Sequence, residues 1–164
     1  MTTMTDPGVD IGHVRLKVAD LDRAVDFYSG ALGFEVTTRM PGTAFLSAGG
    51  YHHHIGFNTW ESTGGSPPPS GTNGLFRFAI RYPTRAALAA ALRRVLEAGV
   101  RLPGASDHGV SEALYLRDPD GNGIELYRDR PRSEWPRRPN GGLVMFTEPL
   151  DLDALLAEAA PDAG

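Results

Sequence analysis

IGHVRLKVADLDRAVDFYSGALGFEVTTRM (residues 11–40) holds in one stretch the two periodicities that decide the fold. Over residues 11–18 apolar and polar side chains alternate, as in a half-buried strand. Asp20 is a good N-cap. Leu21, Ala24, Val25, Tyr28 and Leu32 then fall at helical spacing, and Gly33 stands where a C-cap glycine belongs. Three short strands are expected next: FEVTTRM (34–40), TAFLSAG (43–49) and HHHIGFNT (52–59).

The order then recurs. LFRFAIRY (75–82) reads as a strand, Pro83-Thr84 opens a second amphipathic helix, and short strands follow near Arg101, in SEALYLR (111–117) and in GIELYRD (123–129). A βαβββ unit written twice predicts an α+β fold, with two modules closing one cupped mixed sheet and helices 20–32 and 84–98 outside it. The modules are expected at 11–59 and 74–130, joined by a Gly/Pro/Ser-rich surface linker over 60–73. In the extension at 131–164, LVMF (143–146) is a candidate edge strand and DLDALLAEA (151–159) a short packing or dimer helix. The arginines at 128, 130, 132, 137 and 138, interrupted by Asp129 and Glu134, read as a solvated face.

Composition narrows the function. Charged residues make up 22% of the 164 residues and the net charge is -4, which fits neither a disordered chain nor a nucleic-acid surface. With no cysteine, a disulfide framework, a cysteine-bound zinc and a thiol nucleophile are excluded. No basic-apolar leader and no membrane-length apolar run is present, so a cytoplasmic protein without a membrane partner is expected.

Alternate residues of a strand face opposite sides, and this parity selects the candidate site. If Val14, Leu16 and Val18 pack under the helices, His13 faces the cleft; if Ile55 and Phe57 pack, His52, His54 and Asn58 face it. Likewise Phe76, Phe78 and Ile80 would leave Arg77 and Arg81 on the cleft side, and Ile124 and Leu126 would leave Glu125 and Tyr127 there. His13 with His54, and Arg77 with Glu125, thus occupy matching places in the two repeats. Two imidazoles and one carboxylate suit Fe(II) or Mn(II) with open positions for a substrate.

At these residues the chain resembles the vicinal-oxygen-chelate family of glyoxalases, bleomycin-resistance proteins and type I extradiol dioxygenases. GHVRLKVADLDRAVDFYSGALGFEV looks like that family's opening strand-helix-strand, and DPDGNGIEL like its closing hairpin. DHGVSEALYLRDPDGNGIE is similar to the extradiol ring-cleavage signature through His108, Leu114, Tyr115, Asp118, Pro119, Gly121 and Glu125. Ser106, two residues before His108, departs slightly from it. Bacterial catechol-2,3-dioxygenase-like proteins are the subgroup it looks most like.

The resemblance implies His13 and Glu125 as metal ligands, His108 as acid/base, and Tyr115 as hydrogen-bond partner of a substrate oxygen. His108 and Tyr115 are seven positions apart, so a regular strand would put them on opposite faces; a bulge, or His108 on the preceding loop, is required. Relatives carry His where this chain has Arg77. A guanidinium is donor-only and cannot ligate a cation. Either His54 supplies the missing nitrogen, or the metal site is lost, with Arg77 paired to Glu125 or clamping an anionic substrate group.

Two readings follow. One is a metal-dependent extradiol-type dioxygenase acting on a catechol-like substrate, with Fe(II) the favoured ion and Mn(II) or Zn(II) the alternatives. In it His13, His54 and Glu125 hold the metal, His108 and Tyr115 are catalytic, and Arg77, Asn58 and Tyr127 bind substrate. The other is a metal-free protein that sequesters a small aromatic molecule such as an antibiotic, stacking it among Tyr51, Trp60, Tyr115 and Tyr127. A small-molecule partner, no nucleic acid and a homodimer are expected in both.

Overall fold

The computed structural model describes residues 4–159. Alternation makes β1 (Val14–Lys17): Leu16 is buried, as is Val18 just beyond the strand, while Arg15 and Lys17 are exposed. Asp20 stops the strand and starts α1 (Leu21–Gly30), its carboxylate accepting from the Arg23 backbone N–H at 3.0 Å. Gly33, at φ +79°, turns the chain back into β2 (Glu35–Met40). After it come β3 (Thr43–Ser47) and β4 (Ile55–Asn58), giving a sheet ordered β1-β4-β3-β2 with β1 parallel to β4.

The second half repeats this. β5 (Phe78–Arg81) leads to α2 (Arg85–Glu97), whose first turn is capped by the Thr84 hydroxyl at 3.0 Å from the Ala87 N–H. β6 (Gly104–Asp107), β7 (Ser111–Arg117) and β8 (Gly123–Asp129) complete the order β5-β8-β7-β6, again with the first strand parallel to the last. A further strand, β9 (Glu148–Pro149), pairs with the free edge of β6, and α3 (Leu152–Leu156) packs against α2.

The duplicated α+β architecture is therefore present. Its hydrogen bonds run in two sheets, of four and five strands, one for each repeat. Side chains join the halves: Leu16, Tyr28, Leu46 and Phe57 from the first, and Leu88, Leu92, Leu114 and Ile124 from the second, belong to one buried cluster. The seam also has a polar element. Asp118, buried in the β7–β8 turn, accepts from Tyr28 Oη at 3.0 Å, from Asn122 Nδ2 at 2.9 Å, and from the backbone N–H groups of Asp120 and Asn122 at 3.0 and 2.8 Å. Beside it Asp120 accepts from the Ala19 N–H at 3.0 Å and pairs with Arg23 at 2.9 Å.

Four sequence expectations change. Strand β5 starts at Phe78, so Phe76 precedes it and is 76% exposed instead of packed. LVMF forms no strand: the Arg138–Gly142 turn folds Leu143 back to an isolated bridge with Arg137, and the pairing edge lies later, at Glu148–Pro149. Arg128 and Arg130 are not merely solvated. Both reach buried Glu112, at 2.7 and 3.5 Å, in a network with Arg85, and Arg130 also pairs with Asp107 at 2.6 Å. The C-terminal helix is shorter than expected, and Leu155 is its buried anchor.

Burial first, and then the Asp118 charge, raises the Tyr28 phenol well above its usual value. Its native-state pKa is above the unfolded one, so its contribution is complete below about pH 10 and is lost as pH rises through the native value. Tyr28→Phe should destabilise the protein by about 1.5–3 kcal/mol in urea unfolding at neutral pH, the range for a hydrogen bond to a charged group. Above about pH 10 the gap between wild type and variant should narrow; a constant gap would show that the phenol is not held protonated.

Candidate functional site

The β7–β8 ladder sets the site. Its register places Tyr115 directly opposite Glu125, so both side chains leave the same face of the second sheet. Arg77, just before β5, reaches them because Gly123 lacks a side chain. A Cβ at Gly123 would stand 2.5 Å from the Phe76 carbonyl oxygen and 2.9 Å from Arg77 Cβ. Arg77 Nε lies 3.4 Å from Glu125 Oε2, and the guanidinium carbon stands 4.5 Å from the centre of the Tyr115 ring. Arg77 and Glu125 thus meet, although Arg77 precedes β5 and does not lie on it.

His108 lies in the turn between β6 and β7, which resolves the facing problem without a bulge: the register of β6 with β7 is uninterrupted. Its Nε2 is 2.6 Å from Tyr115 Oη, and its Nδ1 is 2.9 Å from the carbonyl oxygen of Phe146. A carbonyl only accepts, so in the neutral ring Nδ1 carries the proton and Nε2 accepts from the Tyr115 hydroxyl. Burial, then the Glu125 charge, pushes the Tyr115 phenol up, with Arg77 opposing, so it remains a donor at neutral pH. Asp107 steadies the turn by accepting from the Gly109 N–H at 2.8 Å. The Phe146 carbonyl escaped the sequence reading, because no side-chain pattern marks a backbone acceptor 38 residues away.

The first repeat does not bring its candidates to this cluster. His13 packs on His53 with ring centres 4.3 Å apart, and His52 and His53 approach at 2.7 Å through their Nδ1 atoms. His54 lies just before β4. Its Nδ1 is 3.3 Å from the Ala48 N–H and 3.2 Å from Ser47 Oγ, which uses that lone pair and leaves the neutral ring's proton on Nε2. Asn58 ends β4, its carbonyl accepting from Val18 at 3.0 Å. Tyr127 shares the face of Glu125 but lies two residues along β8, opposite Arg81. Trp60, 66% exposed, stacks with Arg15, and Tyr51 with His52, so the four expected aromatics do not line one cleft.

Among the described residues, no three His, Cys, Asp or Glu side chains stand together so that they could hold a metal ion. With Arg77 on Glu125 and the His54 lone pair taken, the donor set does not fit the ion that the sequence suggested. A small hollow of about 100 Å³, lined by Phe76, Arg77, Pro103 and Tyr115, adjoins the cluster. It is smaller than the ~150 Å³ cavity that encloses benzene, so a bound ring would remain partly exposed there. A larger open hollow of about 410 Å³ lies at Arg81, Tyr82, Pro83 and Asp129, where no proton-transfer pair is built.

The family model of the glyoxalase/bleomycin resistance protein/dioxygenase superfamily matches residues 10–126. The chain belongs to this superfamily. Within it, the chain is 43% identical over 152 residues to a catechol-2,3-dioxygenase of Bacillus subtilis, covering 93% of this chain and 53% of that protein. It is 31% identical over 121 residues to biphenyl-2,3-diol 1,2-dioxygenase 3 of Rhodococcus globerulus, covering 73% and 63% of the two chains. The chain therefore spans only about half to two thirds of the length of these dioxygenases. Two solved members share the fold. A glyoxalase/dioxygenase from Nostoc punctiforme superposes with TM-score 0.63 at 17% identity, over 80% of this chain and 99% of that one. A lactoylglutathione lyase from Agrobacterium tumefaciens gives 0.58 at 21% identity, over 75% and 96%. Both the superfamily and the dioxygenase kinship agree with the sequence reading.

The Tyr115 assignment has a direct test. Removing the Glu125 charge should lower the Tyr115 pKa, because that charge raises it. Ultraviolet titration of wild type and Glu125→Gln, each differenced against its Tyr115→Phe counterpart, isolates this one phenol. An unchanged or higher value in Glu125→Gln would separate the two groups electrostatically.

Proposed function

We propose that the chain is an extradiol-dioxygenase-type domain that takes a catechol-like ring, with two adjacent oxygens, against His108 and Tyr115. The His108–Tyr115 contact at 2.6 Å is the observation that carries this. With Nδ1–H committed to the Phe146 carbonyl, Nε2 is the free base of the pair. A ligand hydroxyl displacing the Tyr115 proton from Nε2 would pass its own proton to His108. The resulting imidazolium keeps the Phe146 carbonyl as acceptor. Tyr115 then donates to the ligand's phenolate oxygen, and the Arg77 cation stands nearby to favour that charge. Such positioned acid/base chemistry contributes roughly 10²–10⁴-fold.

The Arg77–Glu125 ion pair favours a second reading, capture of the ligand without ring cleavage. Glu125 can serve a cation only when released from Arg77. The same chain would then bind a phenolic molecule through His108, Tyr115 and Arg77 and leave it intact.

Calorimetry with catechol, without added metal, tests the shared step. Wild type should bind, and Tyr115→Phe should weaken binding about tenfold, ~1.4 kcal/mol. Oxygen uptake with catechol and excess Fe(II) then separates the readings. Arg77→His frees Glu125 and adds an imidazole beside it, so metal affinity and uptake should both rise about tenfold or more. Wild-type uptake above background supports turnover, binding with no uptake supports capture, and absence of binding sinks both.

A further inference from the structure

The turn that bears His108 is gripped from outside the duplicated unit. Ser106 pairs with Pro149 and Asp107 with Glu148, and the Phe146 N–H points at the His108 carbonyl at 3.4 Å. The Phe146 carbonyl then returns to accept from the His108 ring at 2.9 Å, with Thr147 Oγ1 at 3.3 Å from the same nitrogen. One short stretch therefore holds both the backbone and the imidazole of His108. Among the described residues the first sheet has no counterpart: β2 is its open edge, and all six of its residues are exposed.

Gly109 is the seat for this stretch. It has φ +76°, in the left-handed region that favours glycine. A Cβ there would stand 2.6 and 2.8 Å from two atoms of the Phe146 ring and 3.0 Å from Pro136 Cγ. The ring can close on the turn only because position 109 has no side chain.

We propose that residues 136–149 form a brace whose task is to position His108, with Phe146 as the positioning residue and Gly109 as its seat. The brace selects a tautomer. With the Phe146 carbonyl in place, Nδ1 must carry the proton and Nε2 keeps its lone pair toward Tyr115 and any ligand. Without it, the Nε2-protonated form becomes accessible, and in that form His108 donates where it must accept. The functional consequence rests on the ligand role proposed above; the tautomer itself rests on geometry alone.

Nuclear magnetic resonance of the ligand-free full chain, labelled with ¹⁵N-histidine, reads this directly. The protein has five histidines, and loss of one set of ring signals in His108→Gln identifies the site. In the neutral ring of wild-type His108, Nδ1 should be protonated and Nε2 bare. Gly109→Ala, which drives the Phe146 ring away, should reduce the ratio of the two tautomers about tenfold, as expected for the loss of one hydrogen bond. Phe146→Gly, a change at a more exposed position, should shift the ratio in the same direction and decides the matter if Gly109→Ala fails to fold. Tyr115→Phe should leave the tautomer in place. A His108 protonated on Nε2 in wild type, or an unchanged ring in the folded variants, overturns the brace. Because no ligand is present, this result is independent of catechol binding: either proposal can fail while the other stands.

Discussion

The carboxylate of Asp118 is the interaction on which the rest of the molecule depends. An isolated buried carboxylate is strongly disfavoured, and this one is tolerated because four donors surround it. Three of them belong to its own turn and fix the geometry there. The fourth is Tyr28 from α1, so the charge that shapes the β7–β8 hairpin also anchors that hairpin to the first repeat. The register of β7 against β8 follows from this turn, and with it the meeting of Tyr115 and Glu125 across the ladder. A slip of one residue would send both to the other face.

A second charged centre acts on the opposite end of the same hairpin. Glu112, almost fully buried, faces Arg85 from α2 and Arg128 and Arg130 from the end of β8 and the residue after it. Arg130 continues to Asp107, whose other oxygen receives the Gly109 N–H. The His108 turn therefore sits at the end of an ionic chain that begins on a helix. By contrast the Arg77–Glu125 pair is partly open to water and contributes modestly to stability. Its effect is chemical: a permanent cation stands where the family resemblance leads one to expect a ligand.

Strand parity and capping make much of this legible in the sequence. β7 and β8 coincide with SEALYLR and GIELYRD: GIELYRD alternates, and SEALYLR is a short, mostly buried apolar run that ends at the Asp118 turn. Asp20 and Thr84 cap the helices as their side chains suggest. The sequence does not mark the start of β5, because Leu75 and Phe76 carry strand-like apolarity while lying outside the ladder. His54 misled for another reason: alternation places a ring on a face, but it does not reveal that a nearby N–H and hydroxyl already claim its nitrogen. The Phe146 carbonyl and the Glu112 network depend on contacts between segments far apart in the chain, which a local pattern cannot carry.

Pairing of β9 with β6 has a colloidal consequence as well as a chemical one. Every open sheet edge offers unpaired backbone groups to a neighbouring molecule, and long, flat edges invite aggregation. The two sheets solve this differently. At β2 the ladder is irregular between Val36 and Thr38, and Glu35 and Arg39 place charge along the margin. At β6 the chain covers half of the edge, Ser106 and Asp107, with its own backbone. Peeling that cover back would bare a fresh edge beside buried Val110 and Ala113, so the segment that braces the histidine also shields a backbone edge from other chains.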